Sequence, residues 1–237
     1  MRLFSKLAMI TIFAVIGYAG TLHAGKPSQT KQLPKKESKM DVLSWKPRVF
    51  YFHNFLSDEE CDLLISKARP ELKRSTVVDL ETEGGKIHEA RTSQGMFLAA
   101  NHQDPVITGI EERISRLTQI PMENGESIQV LSYGVGGEYK PHYDYFDGST
   151  PGGALCLNRG GQRVASFIMY LNTPQAGGET IFPQAHISVT PKKGDAVLFY
   201  DCLPNGNIDP LTLHGGAHVI AGEKWIATRW LRQGMFR

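Results

Sequence analysis

His142, Tyr143 and Asp144 set an imidazole and a carboxylate two residues apart. In a strand, residues two apart share a face, so His142 and Asp144 point the same way while Tyr143 points the other. On a helix the same pair diverges by about 200° and cannot chelate one ion. With one more histidine from a distant strand, the pair makes the two-histidine, one-carboxylate triad of a non-haem iron(II) site. Such a site takes three protein ligands on one face of the metal and leaves the opposite positions open. Two histidines are candidates for the third ligand, His214 and His218, in the run Leu213-His214-Gly215-Gly216-Ala217-His218. Ten residues past His214 stands Lys224, in the strand-like Lys224-Trp225-Ile226-Ala227-Thr228. A lysine directed into an apolar barrel is costly unless it meets an anion, and a dicarboxylate cosubstrate supplies one. His53, His88, His102 and His186 fall in polar, turn-like or strand-end stretches that fit structural roles.

Positioning such a triad needs strands, and the second half of the chain is rich in them. From about residue 126 the texture becomes short β-type runs punctuated by Gly and Pro: Ser127–Tyr133, Lys140–Tyr145, Arg163–Leu171, Glu179–Phe182, Ile187–Thr190, Asp195–Phe199 and Lys224–Leu231. Before them lie an apolar run, Val49-Phe50-Tyr51-Phe52, and two helix patterns. Ser57-Asp58-Glu59-Glu60 is a capping box, and Leu63, Leu64 and Ala68 then share a face up to Pro70. Asp104 caps a second helix, with Pro105 in its first turn and Val106, Ile110, Ile114 and Leu117 at helical spacing. This order predicts an α+β fold: an antiparallel double-sheet jelly roll (a double-stranded β-helix) with N-terminal helices packed on one sheet. Residues 146–162 hold five glycines and no period, which predicts a lid or binding loop.

The length of 237 residues favours one domain, placed at 45–237. Arg2 and Lys6, the apolar run Leu7–Tyr18 and Ala24 give residues 1–24 the pattern of a secretory signal. The alternative is a retained N-terminal anchor, the one route to a membrane. Either way the domain is expected outside the cytoplasm: periplasmic or secreted in a bacterium, in the endoplasmic reticulum lumen of a eukaryote. Residues 25–44 are polar and Lys-rich and read as a flexible basic linker. Residues 49–237 carry 17 basic and 22 acidic side chains. That balance argues against a nucleic-acid partner, whose phosphates call for clustered Lys and Arg. Three cysteines allow at most one bridge, so this is no disulfide scaffold.

Several stretches together resemble the prolyl 4-hydroxylases, especially the small plant and algal type. They are Trp45-Lys46-Pro47-Arg48, His53-Asn54-Phe55-Leu56-Ser57, Arg91-Thr92-Ser93-Gln94-Gly95-Met96-Phe97-Leu98 and Pro141-His142-Tyr143-Asp144-Tyr145-Phe146. Further on come Gly160-Gly161-Gln162-Arg163, Gly177-Gly178-Glu179-Thr180-Ile181-Phe182-Pro183, and His214-Gly215-Gly216 ahead of Lys224-Trp225. The resemblance spans about residues 44–232. It implies an enzyme using Fe(II), 2-oxoglutarate and O2, with L-ascorbate as rescuing reductant, that turns peptidyl proline into 4-hydroxyproline and releases succinate and CO2. In that family the distal metal-binding histidine precedes the cosubstrate lysine by ten positions, which selects His214 over His218. The resemblance thus implies His142, Asp144 and His214 as metal ligands, and Lys224, Tyr133 and Thr180 around the far carboxylate of 2-oxoglutarate. Arg91, Ser93, Glu126, Tyr139, Arg163 and Trp230 are implied for binding a proline-rich peptide or protein. Two positions depart from the pattern: Arg232 stands where the family often has His, and Ala217 where it often has Cys.

Bland readings compete. Arg91 and Glu126 could form a surface ion pair, and Trp230 could be plain core. The same chemistry could serve another side chain or a small molecule, and jelly rolls also bind ligands without catalysis. Lys224 separates the classes, because a non-catalytic barrel has no use for a buried lysine ten residues from a metal ligand.

Overall fold

The computed structural model describes residues 39–78, 85–86, 89–98 and 104–236. The expected signal segment, most of the expected linker, His88 and His102 lie outside them. In chain order the first elements are β1 (Lys39–Trp45), β2 (Arg48–His53), α1 (Asp58–Ala68), β3 (Lys73–Arg74), β4 (Val77–Val78), β5 (Gly85–Lys86) and β6 (Gln94–Phe97). Then come α2 (Pro105–Thr118), β7 (Gln129–Tyr133), β8 (Tyr139–His142), α3 (Pro151–Leu157) and β9 (Arg163–Tyr170). The chain closes with β10 (Ala176–Gly177), β11 (Thr180–Phe182), β12 (Ile187–Val189), β13 (Ala196–Phe199), β14 (His214–Gly216), β15 (Val219–Ala221) and β16 (Lys224–Arg232).

Eight strands form a major antiparallel sheet in the order β1-β2-β13-β9-β16-β7-β6-β3, and four form a minor sheet, β12-β11-β14-β8. This is the expected jelly roll. The pleat sorts side chains of the major sheet into two cores. On β9, Phe167 and Met169 face one way with Trp225 and Ala227 of β16, against Leu64 of α1 and Ile110 and Ile114 of α2. Ile168, Tyr170 and Ile226 face the other way, with Tyr133 and with Phe182 of the minor sheet. The helices therefore cover one face of the major sheet, and the space between the sheets is left for chemistry.

Both helices begin as their caps dictate. Ser57 Oγ accepts from Glu60 N at 3.1 Å while Glu60 Oε2 accepts from Ser57 N at 2.9 Å; losing such a cap costs about 0.5–2 kcal/mol. Asp104 Oδ1 accepts from Val106 N at 2.9 Å, and α2 ends at Gln119 in the left-handed conformation.

Three expectations need correction. Residues 39–44, expected as tether, pair with β2 as an edge strand. A half-exposed edge strand tolerates Lys39, Asp41 and Ser44, so its polar composition hid it. The expected strand over 140–145 stops at His142, and Asp144 sits in a bend. Residues 146–162 are not one loose loop: Thr150 caps α3 by accepting from Gly153 N at 3.1 Å. Arg232 holds this segment, donating to Gly161 O at 2.6 Å and Cys156 O at 3.0 Å. Among the described residues no helix is long and apolar enough to cross a membrane, and no disulfide joins the three cysteines.

Candidate active site

β8 and β14 lie side by side in the minor sheet with His142 directly opposite His214. Gly215 permits this approach, since a Cβ there would come within 2.8 Å of Tyr139 O. The bend after β8 brings Asp144 back under the two rings. Its Oδ1 is 3.5 Å from His142 Nε2 and its Oδ2 is 3.5 Å from His214 Nε2. The ligand atoms of the three residues all lie within 4.8 Å of one another, and Tyr143 points out to solvent.

Each imidazole is aimed by its other nitrogen. His142 Nδ1 is 2.9 Å from Lys140 O, and His214 Nδ1 is 3.0 Å from Thr212 O. A carbonyl only accepts, so both Nδ1 atoms carry the proton and both Nε2 lone pairs face the centre. Burial pushes His214 down to about 4, against the pull of Asp144. Burial alone would raise Asp144, but positive charge at His214, a hydrogen bond from and positive charge at His142 when these rings are protonated, and the Arg163 guanidinium outweigh it and hold the carboxyl well below its ordinary range. A bound cation would take the place of those protons. Two neutral imidazoles and one ionised carboxylate on one side of a small space fit an iron(II) ion with three open positions. His218 is outside this group: it is mostly exposed, 3.3 Å from Glu138.

The same cleft leads to Lys224. Even-numbered residues of β16 face the inter-sheet space, so Lys224, Ile226, Thr228 and Trp230 line the cleft together with His142, Asp144 and His214. Lys224 is 3% exposed, its ammonium 5.6 Å from the ring of Tyr133, its partner on β7. Burial lowers it to about 8, partly offset by Glu179. Gly178, at φ +76°, leaves room for the stem: a Cβ there would be 3.1 Å from Lys224 Cδ. Thr180 also lines the cleft and accepts from Tyr170 Oη at 2.9 Å, which leaves the threonine proton free to point inward. With the triad and the Lys224 ammonium lining one cleft, each end of a dicarboxylate has a partner there.

Of the residues expected at the peptide, Arg91, Tyr139 and Trp230 line the cleft. Tyr139 stacks on His142 at 3.6 Å, and Arg91 lies 4.9 Å over the Tyr139 ring. Ser93 is fully buried behind Arg91 and accepts from its Nε at 3.2 Å. Glu126 and Arg163 pair with each other at 2.7 and 2.9 Å, beside the cleft rather than lining it, with the Arg163 guanidinium 4.0 Å over Trp230. Arg91 and Glu126 do not form a surface pair: Arg91 is buried and donates to Gln129 Oε1 and Thr76 O. Trp230 is largely buried yet its side chain belongs to the cleft, not to the core under the helices.

Sequence reasoning missed Tyr170, Ser166 and Asp201. Ser166 Oγ lies 2.7 Å from Asp144 Oδ2 and 2.9 Å from Asp201 Oδ2. The available signal was parity. Ser166 shares a face with Ile168 and Tyr170, and Asp201 lies two residues past the inward Phe199.

The fold and the site define a 2-oxoglutarate- and iron(II)-dependent oxygenase. In agreement, the 2OG-Fe(II) oxygenase superfamily model matches residues 128–232. Prolyl 4-hydroxylase 1 of Arabidopsis thaliana is 48% identical over 209 residues, covering 82% of this chain and 72% of that protein. Prolyl 4-hydroxylase 5 of the same plant is 45% identical over 217 residues, covering 84% and 72%. Among solved structures, the viral collagen prolyl hydroxylase of Paramecium Bursaria Chlorella virus-1, in complex with 2OG, superposes with a TM-score of 0.61 at 30% identity, covering 78% of this chain and 95% of that one. The chain belongs to the prolyl 4-hydroxylase family. It is an enzyme whose cofactor and cosubstrates are Fe(II), 2-oxoglutarate and O2.

Proposed function

We propose that this chain hydroxylates peptidyl proline at C4, with a proline-rich peptide or protein as substrate. One C–H bond of the ring becomes C–O–H; the second oxygen atom of O2 ends in succinate as 2-oxoglutarate loses CO2. The observation that carries this reading is the pairing, in one cleft, of the His142–Asp144–His214 cluster with the buried ammonium of Lys224.

His142, Asp144 and His214 would hold the iron through two Nε2 atoms and one carboxylate oxygen. With iron bound, O2 would supply the oxidising power and 2-oxoglutarate the second pair of electrons; the protein supplies aim and dryness. Lys224, Tyr133 and Thr180 would hold the far carboxylate, fixing the length of the cosubstrate along the cleft. Leu131, Ile168 and Ile226 wall off water from that carboxylate, which strengthens its pairing with the ammonium. Tyr139, Arg91 and Trp230 give the mouth of the cleft aromatic faces and a planar cation, the surface that suits an extended polyproline II strand. Ser93 would orient Arg91, and the Glu126–Arg163 pair would orient Trp230. Ascorbate is proposed as the reductant that restores activity after turnover without peptide. Residues 1–24, with their charged start and apolar run, support function in the secretory pathway or outside the cytoplasm.

The test is mass spectrometry of proline-rich peptides incubated with the protein, iron and 2-oxoglutarate. The reading requires a gain of one oxygen atom on proline, in step with succinate. Succinate release that no proline peptide accelerates would move the substrate elsewhere while keeping the class of chemistry.

A further inference from the structure

Ser166 lies on β9 with its side chain between the sheets, and Asp201 follows β13, the neighbour of β9 in the major sheet. Both are fully buried, and Asp144 is 6% exposed. Three side-chain oxygens thus line up in a dry place: Asp201 Oδ2, then Ser166 Oγ at 2.9 Å, then Asp144 Oδ2 at 2.7 Å. A serine hydroxyl has one proton and cannot donate to two carboxylates at once. Both contacts close only if one carboxyl group brings a proton of its own. Asp201 Oδ1 has no partner among the described residues, so an ionised Asp201 would leave a bare charge in the interior beside that of Asp144. Arg163, the nearby cation, is engaged by Glu126. The chain therefore runs one way, Asp201 donating to Ser166 and Ser166 donating to Asp144.

We propose that Ser166 and Asp201 are positioning residues that fix the Asp144 carboxylate, capping Oδ2 and leaving Oδ1 as the oxygen presented to the metal. A lone carboxylate on a bend can rotate about its Cβ–Cγ bond. A donor locked at 2.7 Å stops that rotation, and Asp201 locks the donor by occupying the serine lone pair. The inference rests on the reading of His142, Asp144 and His214 as the metal ligands.

The experiment titrates Co(II) into the full, metal-free chain, reading the visible absorption of the bound ion, without cosubstrate or peptide. Outer-shell partners of metal ligands typically contribute 10–100-fold in affinity. Ser166→Ala should weaken Co(II) binding by about that factor. Asp201→Leu should match it, because the serine is then free to turn away. Asp201→Asn should stay near wild-type affinity, since its amide N–H can still donate to Ser166 Oγ. Urea unfolding of the metal-free variants shows whether they fold, and a purely structural role lowers that stability with no change in Co(II) affinity. Unchanged affinity in Ser166→Ala, or Asn no better than Leu at 201, overturns the proposal. His142→Ala is the separate control: if it leaves Co(II) binding intact, the ligand assignment itself has failed, whatever the serine does.

Discussion

Lys224→Met should separate stability from function in a single substitution. Methionine keeps a long stem against Tyr133 and Gly178 and removes the charge. In the wild type burial lowers Lys224 from 10.5 to about 8. Each pKa unit corresponds to 1.36 kcal/mol, so the buried ammonium costs the cosubstrate-free fold about 3 kcal/mol. The folded value lies below the unfolded one, so the unfolded chain holds this proton more tightly. The cost is fully present below about pH 8 and fades as pH rises toward 10.5. Lys224→Met should thus raise the urea midpoint of the cosubstrate-free protein at pH 7, by an amount approaching 3 kcal/mol. The same change should weaken 2-oxoglutarate. A charge-assisted hydrogen bond contributes about 1.5–3 kcal/mol, which corresponds to about 10–150-fold in affinity. Wild-type affinity should be flat below about pH 8 and fall about tenfold per unit above it, as the ammonium is lost, while the variant shows no such slope. Anaerobic titration of 2-oxoglutarate under saturating iron, followed by intrinsic fluorescence at several pH values, measures both. Unchanged cosubstrate affinity in Lys224→Met would refute the reasoning, since a lysine whose head merely reaches solvent gives that result.

His142→Ala and Asp144→Ala should each abolish succinate release yet keep the far-UV circular dichroism of the wild type, because the strands are held by their own cores; wild-type release from either would remove the triad. His218→Ala should retain most activity, and a loss of iron binding there but not in His214→Ala would reverse the choice of histidine. Tyr170→Phe frees Thr180 to turn away, and 2-oxoglutarate affinity should drop by about 2- to 10-fold, the worth of one neutral hydrogen bond. Arg232→Met cuts both bonds to the α3 segment, so amide exchange over 146–162 should quicken while that of β9 stays slow; unchanged exchange would mean that the pin is idle.

The parts of the structure that could be read in advance were those with a local signature. The Ser57 box and the Asp104-Pro105 start need only four or five adjacent residues, and both helices form where they indicate. His142 and Asp144 were legible through the period of two, although the strand stops at His142 and a bend completes the turn toward the metal side. His214 and Lys224 could be paired only through the family's ten-residue spacing, since the two stand on strands of different sheets. Polar or glycine-rich stretches hid their structure. β1 resembles a tether because an edge strand buries little, and α3 lacks an apolar stripe, its only cue being Thr150 before Pro151. Ser166 and Asp201 were hard to see for another reason: each is a lone polar residue beside apolar runs, marked only by its parity. Only the pairing of Phe199 with Ser166 across β13 and β9 brings them together.

β16 is buried along its whole length, with odd positions packed under the helices and even positions facing the cleft. Such a strand has no spare residue. Deleting or inserting one amino acid ahead of Trp225 would turn Ile226 and Trp230 under the helices and expose Arg229 to the iron side, while the lysine left the cosubstrate end. Stability and activity would fail in the same event, whereas point changes on either parity can be absorbed by one function alone. Length variation in relatives of this chain is therefore expected in the turns flanking β16 and not within it, and a graft of new specificity should exchange even-numbered side chains on an unaltered frame.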